Sequence, residues 1–231
     1  MILLAKDTAT LLAPVLNDQT FAVARVNMTP TQQSDPLLIQ EMLADIAENV
    51  TDVFDGELDE FRVNADYKQQ AFQQAGVRDL YFVFSLKYFP GFLVVAPTDQ
   101  DPVVVMQLMK QMGDHIEAKV LTDTQNPTLV IAGPAFVLAR LKEQTRATHK
   151  LLAEGLACGV NDSALQVVVA PSADQKLIIK QMLPLLPLPS GSIPLSLLID
   201  NIQWAAMEFQ APPTTVLSLT TKSHHEVVNS M

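Results

Sequence analysis

The densest run of side chains able to do chemistry is Asp52-Val53-Phe54-Asp55-Gly56-Glu57-Leu58-Asp59-Glu60, which gathers the carboxylates of Asp52, Asp55, Glu57, Asp59 and Glu60. Oxygen ligands at this density suit a hard divalent cation. The EF-hand template fails. With Gly56 as its sixth position, the first and third positions are Thr51 and Val53 and the twelfth is Arg62, where oxygen ligands and a bidentate glutamate are needed. Two expectations follow for this segment: a looser cation site on the five carboxylates, or a solvated acidic loop.

The other reactive residues are scattered. His115 and His149 are isolated, and His224 and His225 are neighbours. On a helix adjacent side chains point about 100° apart, whereas a pair of ligands needs i, i+4 spacing. The histidines therefore read as surface residues. Cys158 would need a base and an electropositive setting to act as a thiolate nucleophile. His149 lies roughly 13 Å back along a helix, so the cysteine reads as a small buried apolar residue. There is no GxSxG, GxGxxG or phosphate-loop pattern, and Ser190-Gly191-Ser192 reads as a turn among prolines. Met106, Met109 and Met112 are expected to fill a core. No catalytic residue and no cofactor is indicated.

Charge excludes one class of partner. The chain of 231 residues carries a net charge of −10. Between Arg25 and Arg62 there is no lysine or arginine, but Asp35, Glu41, Asp45, Glu48, Asp52, Asp55, Glu57, Asp59 and Glu60 all fall there. A phosphate backbone would be repelled, so no nucleic-acid partner is expected. An apolar share of 48% calls for a sizeable core. The most apolar stretches are interrupted by Gly133-Pro134 and by Pro184, Pro187, Pro189 and Pro194. None reaches the roughly 18 apolar residues of a membrane span, so no transmembrane segment is expected. Met1 to Leu16 has Lys6 and Asp7 where a signal peptide needs its apolar centre. One cysteine allows no internal disulfide framework.

These residues must be carried by regular elements. Thr20 to Val26 alternates as a strand, with Phe21, Val23 and Arg25 on one face and Ala22, Ala24 and Val26 on the other. Asp35-Pro36 opens a helix whose outer face bears Glu41, Asp45, Glu48 and Asp52. Asp66 to Ala75 is a second helix, stopped by Gly76. Asp79 to Leu86 and Phe92 to Ala96 form an antiparallel pair, and Asp101-Pro102 starts another helix. Ile116 to Thr122 and Thr128 to Ala132 form a hairpin. A long basic helix follows, from Gly133-Pro134 to about Cys158, carrying Arg140, Arg146 and Lys150. The remainder reads as a strand (Ser163 to Ala170), a helix (Ala173 to Leu183), two strands (Asn201 to Phe209 and Thr214 to Leu219) and a helix from Ser223.

The second half resembles the first. Val77 to Met109 matches Ile199 to Met231 without a gap at an offset of 122, with Phe82 over Trp204 and Pro90 over Pro212. Upstream, Asn17-Asp18 matches Asn161-Asp162 at an offset of 144. The fold expected is α+β: two related strand-helix-strand-strand-helix units with antiparallel or mixed sheets covered by helices. Residues 1–158 form the first unit, with an acidic insertion over about 30–76 and an additional hairpin and helix. Residues 159–231 form the second, shorter one.

The segments LLAPVLNDQTFAVARVNM, GVRDLYFVFSL, FLVVAPTDQD and VVVMQLMKQM resemble a group of uncharacterised bacterial proteins, commonly exported, that are built from such duplicated α+β units. The resemblance implies the fold and an extracytoplasmic location, and no site residues. Together the features suggest a non-catalytic binding or assembly module, forming a homo-oligomer or taking a protein partner. The alternative is a metal-assisted hydrolase using the acidic segment 52–60. Because the second unit stops where the first continues, its last strand is expected to have an open edge that favours self-association.

Overall fold

In the computed structural model, alternation and burial pick out the centre of the molecule at once. The model describes residues 8–29, 65–88, 91–121, 127–141, 149–158, 163–182, 200–210, 214–221 and 225–228. The acidic insertion, with Asp52, Asp55, Glu57, Asp59 and Glu60, lies outside them, as does the helix expected at Asp35-Pro36. β1 (Thr20–Asn27), rich in β-branched and small apolar residues, is buried on both faces over most of its length. Around it stand β2 (Asp79–Ser85), β3 (Phe92–Thr98), β4 (Ile116–Leu121), β5 (Thr128–Pro134), β6 (Leu165–Val169), β7 (Ile202–Gln210), β8 (Thr214–Thr221) and β9 (His225–Val228). They form one sheet in the order β4-β5-β3-β2-β1-β6-β7-β8-β9. Every neighbouring pair is antiparallel. The α+β class holds, and the β1–β6 pair joins residues 1–158 to residues 159–231.

Helices pack against both faces of this sheet. One core gathers Val23, Tyr81, Val83, Val95, Ile131, Val168 and Trp204 from the strands. It lies beneath α1 (Thr8–Leu12), which supplies Leu12, and two later helices. The opposite core joins Leu80, Val94, Ala96, Val130 and Ala132 to Phe72 of α2 (Ala65–Gln74) and to Val105 and Met109 of α3 (Pro102–Lys110). Successive side chains of a strand point to opposite faces, so Val94 and Val95 enter different cores.

The local signals work as expected at several ends. Gly76 closes α2 with φ +76, a left-handed conformation in which a Cβ would also run into the Gln100 side chain. Asp101 caps α3, its Oδ1 accepting from Val103 N at 2.9 Å, with Pro102 at the first helical position. α6 (Ala173–Met182) opens with a reciprocal capping box: Ser172 N donates to Gln175 Oε1 at 2.7 Å and Gln175 N to Ser172 Oγ at 3.3 Å.

Two elements differ from the sequence reading. The long basic helix is two helices, α4 (Ala135–Arg140) and α5 (Lys150–Ala157). His149 stands before α5 in a non-helical conformation, φ −92 and ψ 83, and its imidazole caps the new helix. The helix expected from Ser223 is the strand β9, which pairs with β8 from Thr220↔His225 to Leu217↔Val228. Two β-branched residues, Val227 and Val228, suit a strand, and pairing satisfies the main-chain groups that β8 would otherwise leave open. The open edge expected at β8 is thus occupied. Among the described residues the terminal strands are β4 and β9, and no helix is long and apolar enough to cross a membrane.

Candidate functional site

Residues directly opposite in antiparallel strands share a face, and one such row breaks the apolar pattern. Tyr81 lies opposite Arg25, Arg25 opposite Gln166, and Gln166 opposite Glu208. All four are buried. The row one step along is Val83, Val23, Val168 and Ala206, so the polar residues occupy positions where alternation calls for apolar ones.

Each of the two charged members has a polar partner. Arg25 Nε donates to Asp79 Oδ1 at 2.9 Å. Gln166 Nε2 donates to Glu208 Oε1 at 3.4 Å. Burial, reinforced by the Asp79 carboxylate, pushes the Tyr81 phenol up to about 12, against the opposing pull of Arg25 and a hydrogen bond with the Thr8 side chain. A phenol held neutral in this way donates a hydrogen bond and does not serve as a base.

Cys158 ends α5 and is exposed, which corrects the expectation that it is buried. The helix turns it away from the core after Leu156, which is buried. Local desolvation, then the carboxylates of Glu208 and Glu154, push its thiol up. That is the opposite of what a nucleophilic thiolate needs.

A second polar cluster sits where the chain enters β1. Asn17 Oδ1 accepts from Gln19 N at 2.8 Å and from Ser85 Oγ at 3.0 Å. Its Nδ2 donates to Tyr88 Oη at 3.2 Å, and Tyr88 Oη donates onward to the Val15 carbonyl at 3.4 Å. Thr20 Oγ1 accepts from Asn17 N at 3.0 Å. His149 joins from above: Nδ1 accepts from Leu152 N at 3.4 Å, and the side chain also bonds to the Thr20 backbone. Burial holds its pKa below the usual 6.5. With its imidazole engaged by main-chain groups and the Ser85 hydroxyl directed at an amide oxygen, the cluster clamps the turn before β1 and has no paired nucleophile and base.

The remaining candidates are dispersed. His115 is exposed and His225 opens β9, while His224 lies outside the described residues. His149 is half-buried as a helix cap, which corrects its reading as a surface residue. Met109 is fully buried, with Met106 and Met112 packed beside it, so these methionines fill a core as expected. Arg140 Nη1 donates to the Lys87 carbonyl at 2.6 Å and its guanidinium stacks 5.4 Å from the Phe136 ring centre. Among the described residues no three His, Cys, Asp or Glu side chains come together to hold a metal ion. Gln166 and Glu208 were missed in the sequence. Their signal was present, since Glu208 follows Trp204 and Ala206 at alternate positions, as Arg25 follows Phe21 and Val23. No protein family, curated protein or solved structure matches this chain.

Proposed function

We propose that this chain is a non-catalytic binding or assembly module built from two related α+β units, of the kind seen in the exported bacterial proteins it resembles. The observation that carries the reading is the commitment to one another of the polar groups in the buried row and in the cluster before β1. Arg25 is held by Asp79, Gln166 by Glu208, and Asn17 by Ser85 and Tyr88. Such pairing specifies how strands and turns fit together, while desolvation and neighbouring carboxylates keep the thiol and the phenol protonated.

The duplication is supported once the match is shifted by one residue. At the gapless offset Phe82 falls over Trp204, yet Phe82 packs on the face opposite to Trp204. A two-fold rotation exchanging Val23 with Val168 carries Val83 onto Ala206. Tyr81 then corresponds to Trp204, and both lie in the same core. A slip of one residue exchanges the faces of a strand, so only the shifted match keeps buried residues over buried residues.

Calorimetric titration of the full chain with calcium, magnesium and zinc tests the reading. No heat and an unchanged melting temperature are expected. Saturable heat with a raised melting temperature, lost on replacing Asp52, Asp55, Glu57, Asp59 and Glu60 by their amides, would overturn it in favour of the metal-assisted hydrolase.

A further inference from the structure

The order of charges on β4 matches a second copy of β4. This strand ends the sheet among the described residues. Ile116, Ala118 and Val120 pack towards the core under α3. Glu117 and Lys119 alternate with them on the other face, where Lys119 Nζ reaches the Leu138 carbonyl at 3.2 Å.

The main chain of β4 has a definite phase. Ile116 N donates to the Gly113 carbonyl at 3.0 Å and therefore not to β5. In an antiparallel ladder alternate residues bond to the same neighbour. Glu117, Lys119 and Leu121 thus turn their main-chain groups to β5, and Ala118 and Val120 turn theirs outward. The same phase runs through the sheet. Pro97, which has no N–H, lies opposite Leu129 where this phase asks for no bond between β3 and β5. On β1, Asn27 N goes to Ala164 and Met28 N to Arg78, on opposite sides.

Resting on the assembly reading above, we propose that β4 pairs antiparallel with β4 of a second copy about a two-fold axis at Ala118. Ala118 N–H donates to the Ala118 carbonyl of the second copy, and reciprocally. Val120 N–H donates to the Ile116 carbonyl of the second copy, whose own N–H is already committed to Gly113. Glu117 then stands opposite Lys119 of the second copy, twice, at the closely spaced positions where opposite charges attract. Ile116 meets Val120 on the other face, continuing the apolar surface. The register is selected by charge: an axis at Glu117 or at Lys119 would set like charges face to face. Because the contact is isologous it closes as a dimer and does not propagate.

Sedimentation of the full chain over a concentration series, with three variants, decides it. The wild-type chain should show a monomer–dimer equilibrium. Glu117→Lys sets lysines against lysines and should weaken the dimer by about tenfold. Combining Glu117→Lys with Lys119→Glu restores complementarity and should recover the dimer. Ala118→Pro removes an outward N–H at an edge position that tolerates proline, and should abolish the dimer while leaving the circular dichroism melt intact. If that variant fails to fold, the charge pair carries the test alone. A wild-type chain that stays monomeric at every concentration overturns the proposal, its edge charges then serving to keep other strands away. A dimer unaffected by the variants, or a ladder of larger species, overturns the β4 route but leaves the assembly reading, which metal binding would remove separately.

Discussion

Arg25 on β1 and Asp79 at the start of β2 meet through a 2.9 Å bond, with the guanidinium side chain 10% exposed and the carboxylate 25%. Removing the acid alone leaves a positive charge in the core without its near partner. Asp79→Ala is therefore expected to cost about 3 kcal/mol, and Arg25→Met combined with Asp79→Leu much less, because the apolar pair needs no compensation. Urea denaturation of the three chains checks this. A single variant as stable as the wild type would show the pair to be dispensable.

Gly155 lies inside α5 against the sheet, where the usual gain in helix propensity on replacing glycine by alanine is reversed by crowding. A Cβ there would overlap Val168 Cγ1 and stand 3.3 Å from Trp204 Cε3, tighter than ordinary van der Waals contact. Gly155→Ala should destabilise by about 1–3 kcal/mol, and Gly155→Val by more. A melting temperature that rises with alanine would mean that the helix can move away from Val168.

His149 ties stability to pH. Its folded-state pKa is held below the usual 6.5 by burial, so the unfolded chain binds the proton more readily. The contribution of the neutral imidazole is complete above pH 6.5 and is lost as pH falls through the folded-state value. Protonation also removes the acceptor that caps Leu152 N. His149→Asn keeps a capping oxygen without the titration. The loss in urea midpoint between pH 7.5 and about pH 5 should shrink in this variant, and an equal loss in both chains would assign the pH dependence to other groups.

Cys158 is accessible but protonated. Desolvation, Glu208 and Glu154 all push its thiol up, so disulfide-exchange labelling at neutral pH should run slower than for a free thiol and accelerate as pH rises. Glu154→Gln should speed it by roughly twofold at pH 7.5. Labelling as fast as a model thiol, and indifferent to this substitution, would contradict that environment.

What the sequence by itself determined is the set of local decisions. Alternation marked β1 and the β4–β5 hairpin, Asp101-Pro102 marked the start of α3, and Gly76 marked the end of α2. Each of these depends on side chains and dihedrals within a few residues, so the information is present in the string. The tertiary structure alone decided which strands became neighbours and what the polar residues among them would meet. Arg25, Gln166 and Glu208 are separated along the chain by more than a hundred residues in one step and some forty in the next, and only the β1–β6 and β6–β7 pairings bring them into one row. The same holds for the last strand. His225–Val228 has too few residues to declare its own state, and the open edge of β8 supplies the hydrogen bonds that make it a strand. His149 likewise caps α5 because the Thr20 turn lies beneath it, a contact that no spacing within residues 133–158 encodes.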